Sequence, residues 1–185
     1  MSFLISKGLS EEALAGKYIF FDNDFLSVLF CDFQALENLL DISKRATLLI
    51  DPLTRFEFLQ TVFLSEQRSL KESFISKDEV FIPAVEHQTV FKQIRDNAYT
   101  LSYLYGHHNC KGASIVDLFL AGRSVLHSPN SIIITGNRKD FPDFIFDMVG
   151  VFSREEENGN VRSYSAVTFN KNKYEKAEKS WRDLG

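Results

Sequence analysis

"KYIFFDNDFLSVL" (residues 17–29) runs from a continuous apolar stretch straight into acid. Residues 17–21 read as a strand covered on both faces, because such strands are apolar without alternation. The strand ends at Asp22-Asn23-Asp24. A carboxylate at the end of a core strand is costly unless a charged or hydrogen-bonding group meets it. Apolar residues then recur at helical spacing over 24–40. One helix is expected there, returning the chain across a sheet with Asp24 as its N-cap.

The alternation continues downstream. "ATLLI" (46–50) is a second buried strand, and Pro52 fits the first turn of the helix that follows. That helix is expected to span about 52–75, with Phe56, Leu59, Phe63, Leu70 and Phe74 on its apolar stripe. "EVFI" (79–82) is a short third strand. A long helix over 84–105 turns Val90, Ile94, Leu101 and Leu104 inward. "GHHNCKG" (106–112) is a loop, and "SIVDLFLAGRSVL" (114–126) is a helix capped by Ser114. "SIIIT" (131–135) is a β-branched strand followed by a turn at 136–143. Upstream, "LSEEALAG" (9–16) is a short helix capped by Ser10. In the tail, "EEENGN" separates two strand-like segments and contains Asn-Gly, so 147–169 reads as a β-hairpin. A charged helix over 173–184 ends the chain. Strands alternating with helices predict an α/β, three-layer fold. A central, mostly parallel sheet is flanked by helices, and a hairpin and helix extend its C-terminus. The 185 residues fit one domain, with a core at about 17–141 and an extension at 142–185.

Composition narrows the function classes. Net charge is −4, so no global basic field advertises passive coating of nucleic acid. Two distant cysteines, Cys31 and Cys110, form neither a disulfide framework nor a zinc ribbon, which fits a reducing, cytoplasmic setting. Cys31 is expected to be buried packing on an apolar helix face. His107, His108 and Cys110 lack a second ligand pair with zinc spacing and read as a solvated loop. No apolar run reaches the ~20 residues of a membrane span, and no signal-like leader is seen.

Four carboxylates stand at element ends: Asp22 after the first strand, Glu57 early in the next helix, Asp117 in the first turn of the 114–126 helix, and Asp140 after the last parallel strand. In such sheets the functional crevice lies beyond the carboxyl ends of the strands. Converging carboxylates raise one another's pKa, and a hard divalent cation relieves them through oxygen ligands. Each has a plain alternative. Asp117, three after Ser114, completes a capping box. Glu57 suits a helix N-terminus. Asp140 suits a turn.

"IFFDNDFLSVL", "LTRFEFL", "ASIVDLFLAGRS" and "IIITGNRKDF", in that order, resemble the motifs of PIN-domain ribonucleases, including VapC-type toxins. The resemblance covers about 17–141. Position 137 is Asn where many members carry Asp, which removes one carboxylate while keeping an oxygen ligand. About sixteen residues before the first strand and more than forty after Phe141 also depart from compact members.

The resemblance implies a metal-dependent endoribonuclease. Asp22, Glu57, Asp117 and Asp140 are the implied catalytic and metal-holding residues, with Asn137 as a further ligand, for Mg²⁺ or Mn²⁺. Metal-activated water would cleave RNA phosphodiesters and leave 5′-phosphates. Asn23 and Thr135 would orient ligands or water. Arg55, Arg123, Arg138 and Lys139 would contact phosphates, or else are ordinary surface charges. The implied partners are RNA, an antitoxin protein and a second copy in a homodimer. Two alternatives stand beside this. "FFDNDFLS" also resembles the D-x-D of haloacid-dehalogenase phosphatases, with Asp22 as nucleophile and Asp24 as acid/base. A PIN fold with a degraded site would act as a binding module.

Overall fold

The computed structural model describes residues 4–60, 64–77, 80–84, 87–156 and 158–183. Among them the order is β1 (Leu4–Lys7), α1 (Glu11–Leu14), β2 (Tyr18–Phe21), α2 (Asn23–Cys31), α3 (Phe33–Ile42), β3 (Thr47–Ile50), α4 (Pro52–Gln60) and α5 (Ser65–Ile75). It continues with β4 (Ile82–Pro83), α6 (Gln88–His107), α7 (Ile115–Leu126), β5 (Ser131–Thr135), a 3-10 turn at Arg138–Asp140, β6 (Phe146–Glu155), β7 (Val161–Phe169) and α8 (Lys171–Arg182). Phe63, Glu79, Val85, Glu86, Glu157 and Leu184, named in expected elements, lie outside the described residues.

The strands form one seven-stranded sheet in the order β1-β6-β7-β5-β2-β3-β4. β2 pairs in parallel with β5 and β3, and β3 with β4. The β6–β7 hairpin joins antiparallel through β7 to β5, and β1 pairs with β6. The expected hairpin therefore covers the β5 edge, which would otherwise present unpaired backbone groups. Gly159 turns the hairpin at φ +80°, a conformation glycine adopts without steric cost. β1 was not foreseen: four residues carry too little pattern, and the partner strand lies far away in sequence.

Side-chain alternation divides the core into two layers. Ile19, Phe21, Ile132 and Ile134 point to one side, where Phe25, Leu29, Leu39, Phe58 and Phe74 from α2–α5 pack. Phe20, Ile133 and Val167 point to the other side, against Leu101, Leu104, Leu120 and Ala177 from α6, α7 and α8. The fold is therefore α/β with helices on both faces of the sheet.

Two expected long helices are each broken in two. Asp32 ends α2 and caps α3, its Oδ1 accepting the Ala35 N–H at 3.1 Å. A side chain that satisfies a fresh helix start competes with continuing the old one. The expected 52–75 helix is α4 and α5. Phe58 is buried there, whereas Phe56 and Leu70 from the expected stripe are exposed. Asp22, not Asp24, is the N-cap of α2. Cys31 is exposed at the end of α2 rather than buried.

α6 and α7 pack closely at Gly122. A Cβ there would stand 2.6 Å from the Ile94 carbonyl oxygen and 3.0 Å from the Ala98 nitrogen. Alanine favours a helix over glycine by about 1 kcal/mol, but overpacking costs roughly 1–3 kcal/mol. Both obstacles are backbone, so the clash should win. Gly122→Ala is expected to lower the melting temperature; an unchanged or raised value in a thermal melt would refute this packing.

Candidate active site

β2, β3 and β5 are parallel, so their carboxyl ends share one end of the sheet. Asp22 leaves β2 there. Its Oδ1 accepts the Asn23 N–H at 2.7 Å and its Oδ2 accepts the Thr135 hydroxyl at 2.7 Å. The Thr135 oxygen in turn accepts the Asn137 N–H at 2.9 Å. The costly acid at the strand end is thus met by the start of α2, whose dipole favours negative charge, and by a hydroxyl from the neighbouring strand. These contacts do not cancel its burial. Asp22 is pushed up to about 7, first by desolvation, then by the nearby Asp24 and Asp117 charges.

Asp117 makes the capping box read from the sequence. Its N–H donates to Ser114 Oγ at 3.2 Å and its Oδ2 accepts the Ser114 N–H at 2.7 Å, a complete capping box. It is also buried, and its charge helps raise Asp22, Asp24, Glu57 and Asp140. Asp140 is pushed up to about 6, first by burial, then by Asp117 and Asp24. Asn137 Nδ2 donates to Asp140 Oδ2 at 2.6 Å, and Tyr105 donates its hydroxyl to the Asp140 carbonyl at 2.8 Å. Glu57, half-buried on α4, is raised by desolvation and by Asp117.

Two contributors, Arg162 and Tyr105, escaped the sequence reading, and Asp24 was read there in other roles. Asp24 accepts the Gly136 N–H at 3.1 Å, and a Cβ at Gly136 would collide with its carboxylate. Its signal was the i, i+2 spacing from Asp22, read instead as a cap. Arg162 of β7 approaches Asp24 at 3.9 Å, and Tyr105 comes from α6. Neither has a local signal, because tertiary packing alone brings them in.

The expected cationic rim is smaller than read. Arg123 is 3% exposed and its Nε donates to Asp51 Oδ2 at 2.6 Å, so it is a core residue and not a phosphate contact. Arg138 pairs with Asp143. Arg55 and Lys139 are exposed, with no ion pair among the described residues.

The donor chemistry suits a hard divalent cation. The cluster offers carboxylate oxygens, and no ion pair among the described residues reaches Asp22, Glu57, Asp117 or Asp140. Asn23 Oδ1 is a buried acceptor with no hydrogen-bond partner among the described residues. No three His, Cys, Asp or Glu side chains among the described residues are grouped tightly enough to hold a metal as they stand. Mg²⁺ does not require such a cage, since it is commonly held by one or two carboxylates plus waters and substrate phosphates. Among the described residues no helix is long and apolar enough to cross a membrane. No protein-family model matches the chain, and no curated protein or solved structure matches it significantly.

Proposed function

We propose that this chain is a metal-dependent endoribonuclease whose site is the acid cluster at the carboxyl end of the parallel strands. The observation that carries the proposal is the hydrogen-bonded chain Asp22–Thr135–Asn137–Asp140 at the carboxyl end of β2 and β5, with buried Asp117 close enough for its charge to act on both acids. Asp22 and Asp117, buried and fixed by hydrogen bonds, would be the inner holders of Mg²⁺ or Mn²⁺. Glu57 and Asp140 would complete the negative wall, and Asn137 would steady Asp140 through its amide. The metal would supply a more acidic water and a stabilised leaving oxygen at phosphorus. Thr135 orients the Asp22 carboxylate. Arg55 and Lys139 would meet phosphates outside the cluster. An antitoxin partner, a homodimer and a cytoplasmic setting follow from the same resemblance and belong to this proposal.

Thermal melting tests the metal. A cation that binds only the folded state at about 100 times its dissociation constant stabilises it by about 2.7 kcal/mol. For a chain this size that is several degrees. Mn²⁺ should raise the melting temperature well beyond NaCl at matched ionic strength. Equal shifts would remove the metal site. Hydrolysis of a small aryl phosphate with no RNA cleavage would favour the phosphatase reading of Asp22 and Asp24. A metal shift with neither activity would favour a binding module.

A further inference from the structure

α6 exposes aromatic rings at four-residue spacing. Tyr99 is 58% exposed and Tyr103 is 62% exposed, and His107 follows four residues later. On a helix this spacing places them in one row, about 6 Å apart along the axis. Large aromatics left facing solvent in register are not core packing. Trp181 of α8 stacks on Tyr103, with centroids 5.7 Å apart and planes within 6°. The row continues toward the acid cluster. His107 meets His108 at 4.9 Å, and His108 stacks on Phe144 at 4.1 Å. Phe144 meets the Tyr105 ring edge-on at 6.1 Å, and the buried Tyr105 hydroxyl donates to the Asp140 backbone carbonyl.

The charges beside the row suit a polyanion. A cavity of about 280 Å³ is lined by His108, Phe144 and Lys176 among others. Lys171, Lys173 and Arg182 are paired to acids, but Lys176 and Lys179 have no ion pair among the described residues. Stacking rings with lysine beside them are the combination that holds single strands regardless of sequence, because every base has a π-face.

We infer that α6 and α8 form a track for single-stranded RNA, on which bases stack at Tyr99, Tyr103–Trp181 and His108–Phe144, Lys176 meets phosphate, and the strand is led to Asp140. The inference rests on the RNA-cleaving reading of the acid cluster, and it assigns to the C-terminal helix a substrate-binding role. Duplex RNA, with its bases paired and stacked internally, cannot use these rings.

The chain has a single tryptophan, Trp181, and it lies in the track. A single-stranded RNA 12-mer should quench its fluorescence saturably in EDTA, and a duplex of the same sequence should not. Tyr99→Ala and Lys176→Glu, both at exposed positions, should each weaken binding about tenfold or more by anisotropy. Binding without quenching, equal quenching by duplex, or unchanged affinity in both variants overturns the track. Absence of any binding does so too, and is what a surface reserved for a protein partner would give. Saturable single-strand quenching by a protein that does not cleave RNA with Mn²⁺ would keep the track and remove the nuclease reading.

Discussion

Asp51→Ala should cost about 3–5 kcal/mol of folding stability. Asp51 and Arg123 meet at 2.6 Å with side-chain exposures of 2% and 4%. The guanidinium also lies 5.7 Å from the Phe20 ring. Removing the carboxylate takes away the ion-pair partner that meets Arg123 at 2.6 Å inside the core. It also uncaps α4, because Asp51 Oδ1 accepts the Leu53 N–H at 2.8 Å and the Thr54 N–H at 3.3 Å. A lost cap alone is worth about 1 kcal/mol. Asp51→Asn keeps an oxygen for the cap and loses only the charge, so it should fall between wild type and Asp51→Ala. Urea unfolding measures all three. A cost under about 1 kcal/mol for Asp51→Ala would show that the pair is not a structural anchor.

Asp22→Asn should have the opposite sign when no metal is present. The folded-state pKa of Asp22 is raised to about 7, from 3.8 for an ordinary Asp. The folded protein therefore holds this proton more tightly than the unfolded chain. Its stabilising effect is complete below about pH 4 and is lost as pH rises through about 7. Three units correspond to roughly 4 kcal/mol at full ionisation. Asn removes that penalty but accepts the Asn23 N–H or the Thr135 hydroxyl less well, so the net gain at pH 8 should be smaller. In EDTA, wild type should lose stability between pH 5 and pH 8, and Asp22→Asn should lose less, with the remaining loss coming from Asp140, which is raised to about 6. Identical pH profiles would mean that Asp22 carries no such burden.

Much of this fold was readable because each element announced itself locally. The 17–21 and 131–135 runs are apolar enough to be central strands, and Ser114 with Asp117 states the start of α7 within four residues. The breaks at Asp32 and between α4 and α5 were not readable, because helical spacing persists across them. At Asp32 a capping side chain decides the break. β1 depends on a partner about 150 residues away. In the site, Asp22, Asp117 and Asp140 could be named because each sits at an element end; Glu57, expected near a helix start, lies in the middle of α4, past its first turn. Tyr105 and Arg162 could not be named, because only packing gives them their place, and Asp24 was read as a cap or as the acid/base of the phosphatase alternative. Arg123 shows the converse: a charge beside the motif in sequence is buried against Asp51 in space.

The central claim is that the acid cluster cleaves RNA with a divalent cation. Its most direct measurement is cleavage of single-stranded RNA in Mn²⁺ by wild type and by Asp22→Asn, with circular dichroism showing that both are folded. Wild type should produce 5′-phosphate ends, and cleavage should stop in EDTA and fall at least about a hundredfold in Asp22→Asn. Cleavage that persists in EDTA, or at wild-type rate in Asp22→Asn, would contradict it.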